Sequence, residues 1–564
     1  MKFDAYRYFR PDMELFVGDF ELLSDAFATA QNFQEQVDFF EKINRLRNSF
    51  LTMYNLAFIR HSINSKDSFY EAENRFFDEH SPIYDDQNSR FYRLLLDSPF
   101  RGKLEQKFGK QLFNLAEMSL RTFSKEIMVD LVKENQLATE YMKIKAQAQL
   151  EVDGKTYNLS NITALEENPD RNVRKKATDI KWGFYAEHQK EMERIFDDLV
   201  GIRTKIAKKL GFENYTNLGY LRMNRSDYNQ EMVANFREAV QKHIVPIASK
   251  LYAKQKKRLN QDDLKYYDLS FSFPSGNPKP TGTPEEIVKA TSEMYHELSP
   301  ETDEFFQYMV DGDLLDVVAK DGKSTGGYCT FIPNYGSPFI FSNFNGTSGD
   351  IVVMTHEAGH AFQVFSSRDT PLPEYQWPTY EAAEIHSMSM EFFTFPWMKL
   401  FFGDDSKKFE FAHLISAITF IPYGVAVDEF QHIVYNNPQL TPEERNQAWL
   451  DLQKKYLPHF DHAGNAFLEA GGFWQRQSHI FRSPFYYIDY ALAQICAFQF
   501  WKRDITDHAS AWSDYVQLCK AGGRLSFLGL VELAGLKSPF DESVLKGVAE
   551  HVDGYLAGID DTKF

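Results

Sequence analysis

His356-Glu357-Ala358-Gly359-His360 is the stretch on which the reading of this chain turns. Two histidines four residues apart project from one face of an α-helix, one turn apart. That spacing lets both imidazoles reach one Zn²⁺ at about 2.0–2.1 Å. Glu357 lies about 100° around the helix axis from His356, so its carboxylate can approach a water on the metal without taking a ligand position. Histidines so spaced also cap helices, pack or face solvent, and the pentapeptide alone carries only a hypothesis. Its surroundings strengthen it. Asp350 is placed as an N-cap, and Ile351-Val352-Val353-Met354 supply an apolar first turn. Gly359 inside a helix costs about 1 kcal/mol relative to Ala, a cost that is sustained where another backbone packs against it.

A catalytic zinc site takes a third protein ligand and leaves one position open. Ser366 to Pro378 reads as a loop punctuated by Pro371, Pro373 and Pro378. A second helix is predicted to start near Thr379, kink at Pro396 and stop near Gly403. It offers Glu381, Glu384 and His386 as candidate ligands. Two helices joined by such a loop can pack antiparallel and bring Glu384 under the histidines. The apolar surround of Glu384 (Ala382, Ala383, Ile385, Met388, Met390, Phe392, Phe393) predicts a buried helix, where a carboxylate needs a partner. Glu391 falls near the same face and is a candidate acceptor for the other N–H of a ligand histidine.

His356-Glu-Ala-Gly-His360 followed by Ala383-Glu-Ile-His-Ser-Met-Ser-Met-Glu391 resembles the M3 family of zinc oligopeptidases, in the branch of oligoendopeptidase F and the bacterial Pz-peptidases. The likeness runs from about Gly211 to the end of the chain. It implies that His356, His360 and Glu384 hold one Zn²⁺ per chain and that Glu357 acts on the water. It also implies a mostly helical fold enclosing a deep channel.

Ser478-His479-Ile-Phe-Arg-Ser-Pro-Phe-Tyr-Tyr-Ile-Asp-Tyr490 is dense in phenols. Ser483 and Pro484 read as N-cap and first residue of a helix that sets Tyr487, Tyr490 and Gln494 on one face. A neutral donor aimed at a developing oxyanion contributes about 3–4 kcal/mol. The family resemblance implies that role for a histidine and two tyrosines, which fall at His479, Tyr487 and Tyr490. Tyr486 reads as aromatic packing. The mammalian branch of the family has Gly-Gly-Tyr in this loop. Here no glycine lies between Ser478 and Tyr490, which leaves Gly471-Gly472 upstream as the candidate source of mobility.

Gly326 to Gly346 is poor in helix formers and rich in aromatic residues, and strands are predicted at about 327–332 and 338–344. A sheet edge beside the metal can hold a peptide extended by strand addition. The strand at 338–344, just before the histidine helix, is the expected edge. Gly327, Tyr328, Phe339, Phe341 and Asn343 are the candidate substrate contacts. Elsewhere, residues 10–260 are dominated by charged, helix-forming segments. The expected fold is mainly α, with a zincin-type H-E-x-x-H helix core, a small β-sheet near 265–345 and helical lobes enclosing a deep substrate channel. Residues 1–190 are expected to form one channel wall and 191–564 the catalytic region.

The chain of 564 residues carries 62 basic and 80 acidic residues, a net charge of −18, which argues against nucleic acid or an anionic membrane as partner. Three cysteines (Cys329, Cys496, Cys519) with no C-x-x-C give no disulfide framework and fit a reducing compartment. The N-terminus lacks an apolar signal region and no run reaches about 18 apolar residues. A cytoplasmic zinc endopeptidase acting on short unstructured peptides is the expectation; nothing in the sequence sets the oligomeric state. One alternative is a zinc carboxypeptidase with the same ligands, which needs a basic pocket near Arg476 or Arg482. The other, a non-catalytic helical scaffold with a structural metal, sits poorly with an intact Glu357 and an open fourth position.

Overall fold

Helices account for most of residues 1–564 in the computed structural model of the chain. The N-terminal part is a set of long amphipathic helices, Met13–Thr29, Phe33–Ile63 and Ser68–Leu96. Asp12, Asn32 and Asp67 begin them by accepting backbone N–H groups of their first turns. Their apolar faces bury Phe16, Phe20, Phe40, Phe50, Phe77 and Phe91. One contiguous apolar cluster runs from Phe3 to Leu556, so the N-terminal helices share a core with the remainder of the chain.

Two small sheets interrupt the helices. β1 (Leu150–Val152) and β2 (Lys155–Tyr157) form an antiparallel hairpin inside a region expected to be helical. Asp153 and Gly154 close it with φ of 52° and 76°, the left-handed pair that a two-residue hairpin turn requires. The second sheet contains β3 (Leu315–Val318), β4 (Tyr328–Ile332) and β5 (Ser337–Phe344) in the order β3-β5-β4. This corrects the sequence expectation that the strand at 338–344 is the edge. β3 pairs parallel to β5 on one side and β4 antiparallel on the other, so β5 is central and β4 lies at the edge. The near-continuous burial of β5, broken only at Asn343, is that of a strand enclosed on both faces. The sheet is also confined to 315–344, because 284–311 forms two helices (Pro284–Leu298 and Pro300–Asp311).

Four helices carry the site. The histidine helix, Gly349–Ser366, follows β5 directly. Asp350 is not its cap: it stands within the first turn and accepts N–H bonds from Asn345 and Gly346, both 2.8 Å. It therefore ties the preceding loop to the helix. The glutamate helix, Tyr380–Phe393, ends before a 3₁₀ turn containing Pro396. The tyrosine helix, Tyr487–Asp504, starts later than the Ser483-Pro484 signal predicts. Phe485 adopts φ 70°, a left-handed conformation that breaks helical continuity. The long helix, Ser406–Asn436, packs behind the tyrosine helix. Residues 399–436 are apolar and long enough to cross a membrane by composition alone, but 67% of that apolar window is buried inside the protein.

The glutamate helix contacts both the histidine and tyrosine helices. A Cβ on Gly359 would lie 2.6 Å from the His386 carbonyl oxygen and 2.7 Å from Ser387 Cα. Glycine is required there because the two backbones touch. On the opposite side, Tyr54 and Tyr380 are 37% and 41% exposed, and Asp85 is exposed as well. Burial nevertheless pushes both phenols up and raises Asp85 to about 6. Each of the three thus meets water within a largely protein surround. Tyr54 and Asp85 come from the N-terminal helices, and Tyr380 from the glutamate helix.

Gly359→Ala should lower unfolding stability by about 1–3 kcal/mol through overpacking. Gly201→Ala is the control: Gly201 sits in the helix Gln189–Lys209 with open space around it, and that change should stabilise by roughly 0.5–1 kcal/mol. Denaturant unfolding of the two variants measures the contrast, and similar effects from both would contradict the close helix contact.

Candidate active site

Two imidazoles and one carboxylate converge where the histidine and glutamate helices meet. His356 Nε2 lies 3.2 Å and His360 Nε2 3.4 Å from the same oxygen, Glu384 Oε2. One donor atom from each residue lies within 4.8 Å of the others. The second oxygen of Glu384 accepts the Tyr486 hydroxyl, and Oε2 also accepts from Ser387 Oγ at 2.9 Å. Burial works against a charge on Glu384, but the charge of His360 and hydrogen bonds from both histidines hold its pKa well below the usual carboxylate value. Burial likewise opposes charging His356, and its bonds to Glu384 and Glu391 override that and raise its pKa well above normal.

His356 Nδ1 stands 2.7 Å from Glu391 Oε1. With the Nδ1 hydrogen directed at Glu391, Nε2 is the nitrogen that faces Glu384. The other oxygen of Glu391 meets His413 Nε2 at 2.6 Å, on the long helix. Glu391 thus links the ligand face to the element behind it. His360 Nδ1 has no partner.

Glu357 is buried, and its Oε2 accepts no hydrogen bond. Its other oxygen would be 3.4 Å from a Cβ at Gly327, so the missing side chain lets the start of β4 approach the carboxylate. Burial pushes the Glu357 pKa above the ordinary glutamate value. The result is an unbonded base in a dry position beside the three convergent donors.

The tyrosine segment closes the other side. Gln477 Nε2 donates to His479 Nδ1 at 2.6 Å, which places the imidazole proton on Nε2, 3.3 Å from the Tyr490 hydroxyl. Burial, then the positive charges of Arg482 and Lys145, push His479 down to about 4, so it is neutral at physiological pH. Tyr487 packs its ring against His479, with centroids 5.1 Å apart, and against Phe420 and Tyr423. Arg203 donates to the Ile480 and Phe481 carbonyls, Arg225 to the Phe485 carbonyl, and Gln431 accepts the Phe485 N–H. Buried side chains thereby reinforce an irregular turn whose own backbone bonds run from the Ser483 N–H to the His479 carbonyl and from the Tyr486 N–H to the Ser483 carbonyl.

A family model for peptidase family M3 matches residues 164–550, and a model for the M3 N-terminal domain matches residues 3–123. The chain belongs to peptidase family M3. Among solved structures, Pz peptidase A with an inhibitor is 53% identical over 100% of both chains, with a TM-score of 0.99. An oligoendopeptidase F structure is 52% identical over 100% of both chains, with a TM-score of 0.99. A Bacillus anthracis str. Ames protein named as an oligoendopeptidase F is 52% identical over 100% of this chain and 99% of its own, with a TM-score of 0.95. No curated protein matches the sequence. The chain is therefore a metallo-oligopeptidase of the oligoendopeptidase F and Pz-peptidase branch.

In this M3 peptidase the other two ligand candidates of the glutamate helix point away from the convergent donors. The carboxylate oxygens of Glu381 are buried with no hydrogen-bond partner. His386 is a buried neutral imidazole, pushed down to about 4 by burial and by His360, and its backbone carbonyl accepts the Tyr515 hydroxyl at 2.8 Å. Among the substrate candidates, Gly327 and Tyr328 stand at the sheet edge. Phe339 and Phe341 are buried in the central strand. Asn343 Nδ2 is occupied by the carbonyls of Ser324 and Gly326, both at 2.8 Å. These three support β4 and do not face a free edge, because β5 is paired on both sides. Sequence reading missed Tyr486, Gln477 and His413. For Tyr486 the only available signal was its place in a run of phenols; for Gln477 and His413 there was none, since their partners lie on other elements.

Glu391→Gln keeps the shape and removes one acceptor that His356 or His413 needs. Metal affinity should fall about 10–100-fold, the usual effect of losing a residue that orients a ligand histidine. Competition against a chelator measures it, and an unchanged affinity would show that Glu391 does not orient His356.

Proposed function

We propose that this M3 peptidase is a zinc endopeptidase that cuts internal bonds of short, unstructured peptides. The observation that carries this reading is the convergence of His356 Nε2, His360 Nε2 and Glu384 Oε2 beside an unbonded, buried Glu357. A His₂Glu donor set suits Zn²⁺, and three such atoms within 4.8 Å of one another fit such an ion. When bound, zinc supplies Lewis acidity, lowering the pKa of a water to about 7 and polarising a carbonyl.

The chain's own residues supply the rest. Glu357 takes the proton of the attacking water and returns it to the leaving amine. His479, neutral and protonated on Nε2, and Tyr490 donate to the oxyanion that develops on the scissile carbonyl. Tyr487, beside His479, is the third donor that the family pattern assigns. Gln477 sets the His479 tautomer, and Tyr486 occupies the Glu384 oxygen that does not face the histidines. The substrate backbone adds to β4. Asn55 Nδ2 donates to the Phe331 carbonyl at 2.8 Å, which closes that end of the edge. Strand alternation turns Cys329 to the same outward side, so Gly327 to Cys329 is the open stretch nearest Glu357.

The names of the relatives, an oligoendopeptidase and a Pz peptidase, support short peptides as substrates. The enclosed side chains Tyr54, Asp85 and Tyr380 support a channel, with the helices of residues 1–190 as one wall. The acidic balance leaves nucleic acid and membrane out of the scheme, and three free cysteines suit the cytoplasm.

Glu357→Gln should retain zinc while kcat falls by about 10²–10⁴; Glu384→Ala should lose most of the metal. Metal analysis together with turnover on one labelled peptide checks both. Near-normal turnover by zinc-replete Glu357→Gln would sink the mechanism. A peptide of about ten residues fits a strand-wide channel, whereas a folded domain is roughly 25–30 Å across. Reduced, alkylated casein-like chains should be cut far more slowly per bond than such a peptide; equal rates would indicate an open cleft.

A further inference from the structure

The enclosed arginines of this protein are paired: Arg47 with Glu374 at 2.6 Å, Arg203 with Glu134 at 2.7 Å and Arg225 with Asp489 at 2.7 Å. Arg476 has no carboxylate partner. It lies half-buried on the segment that leads to His479, with its guanidinium 4.3 Å from the Phe473 ring centroid and 5.3 Å from that of Tyr423. The groups that act on it most strongly are phenols, Tyr423 first, then Tyr487 and Tyr185. Lys145 stands beside it and is also without a carboxylate. Its Nζ donates to the Arg476 carbonyl at 2.9 Å and to Ser478 Oγ at 2.7 Å, which leaves one N–H free. Burial, then Arg476 and Lys181, push Lys145 down to about 7, as expected where cations crowd without an anion. Lys181 is satisfied by Glu166 at 2.7 Å.

Two unpaired, enclosed cations in a chain of net charge −18 are costly unless an anion arrives from outside. Their position relative to the catalytic groups is set by a short relay. Arg476 lies on Tyr423; the Tyr423 hydroxyl donates to Gln477 Oε1 at 2.8 Å; Gln477 donates to His479. Two side chains therefore stand between the guanidinium and the imidazole. A carboxylate held at Arg476 therefore lies beside the catalytic groups and not among them.

Resting on the peptidase reading above, we propose that Arg476 and Lys145 form an anchoring site for a carboxylate of the peptide substrate, which sets where short chains are cut relative to their C-terminus. A planar guanidinium meets a carboxylate by two parallel N–H bonds, and a short peptide is the substrate whose terminal carboxylate lies within reach of the scissile bond.

The test uses the zinc-loaded enzyme and one peptide of about ten residues in three forms: free acid, C-terminal amide, and amide ending in Glu. The free acid should show a KM on the order of tenfold below the amide with similar kcat, the effect of one charge-assisted contact present in both ground and transition states. If the Glu-terminated amide recovers the low KM, the carboxylate is read from a side chain as well as from the terminus. Arg476→Gln, with its fold checked by thermal melting, should bring the KM of the acid up to that of the amide. Lys145→Met should do so in part and serves if the arginine variant does not fold. Equal KM for all three forms on the unaltered enzyme would overturn the anchor while leaving the peptidase reading intact. So would an acid-to-amide ratio that survives Arg476→Gln. Failure to hydrolyse any form would instead strike the peptidase reading.

Discussion

Two helix backbones meet at Gly359 with no room for a methyl group, and the geometry of the site rests on that contact. Because the histidine and glutamate helices touch there, His356 and His360 reach one oxygen of Glu384 without adjustment of the backbone. The contact also brings Glu391 under His356. The bond from His356 Nδ1 to Glu391, and from Glu391 to His413, then locks the ligand face against the long helix. A larger residue at 359 would separate the helices, and every one of these bonds would lengthen together.

Burial decides the electrostatics of what the contact assembles. Glu384 is kept ionised by the imidazoles around it, whereas Glu357, on the neighbouring histidine helix, has no cation bonded to it and is pushed toward its neutral form. Two carboxylates in one dry site are thus driven in opposite directions, one suited to hold a metal and one to move a proton. His479 follows the same rule: enclosed and near cations, it stays neutral and can donate without carrying charge. The same enclosure that tunes these groups makes Arg476 and Lys145, neither with a carboxylate, conspicuous beside the buried guanidiniums of Arg47, Arg203 and Arg225, each of which finds one.

The helical class, the two ligand helices and the pair of strands before them are legible in the residues, because each depends on local periodicity and on Gly and Pro punctuation. His356, Glu357 and His360 are legible for the same reason: their relation is a property of one helix. Glu384 is readable through its apolar surround and the family motif. What the sequence misplaces is non-local. Whether 338–344 is an edge or a centre depends on β3 arriving from the other side, and β3 is a run of only Leu315–Val318. The start of the tyrosine helix depends on Phe485 being held in a left-handed turn by Arg225 and Gln431, residues more than fifty positions away in the chain.

The amino-acid sequence by itself determined the helix that pairs two histidines with a base, the mainly α class and the chemistry to be expected of it, since helical spacing converts residue order directly into direction in space. Only the tertiary structure decided that Tyr486 bonds Glu384, that Gln477 orients His479, that β4 rather than β5 offers a free edge, and that Arg476 is left without a partner. Those facts depend on which side chains from distant elements reach the same few ångströms, and hydrogen bonding and desolvation act over that distance, not along the chain.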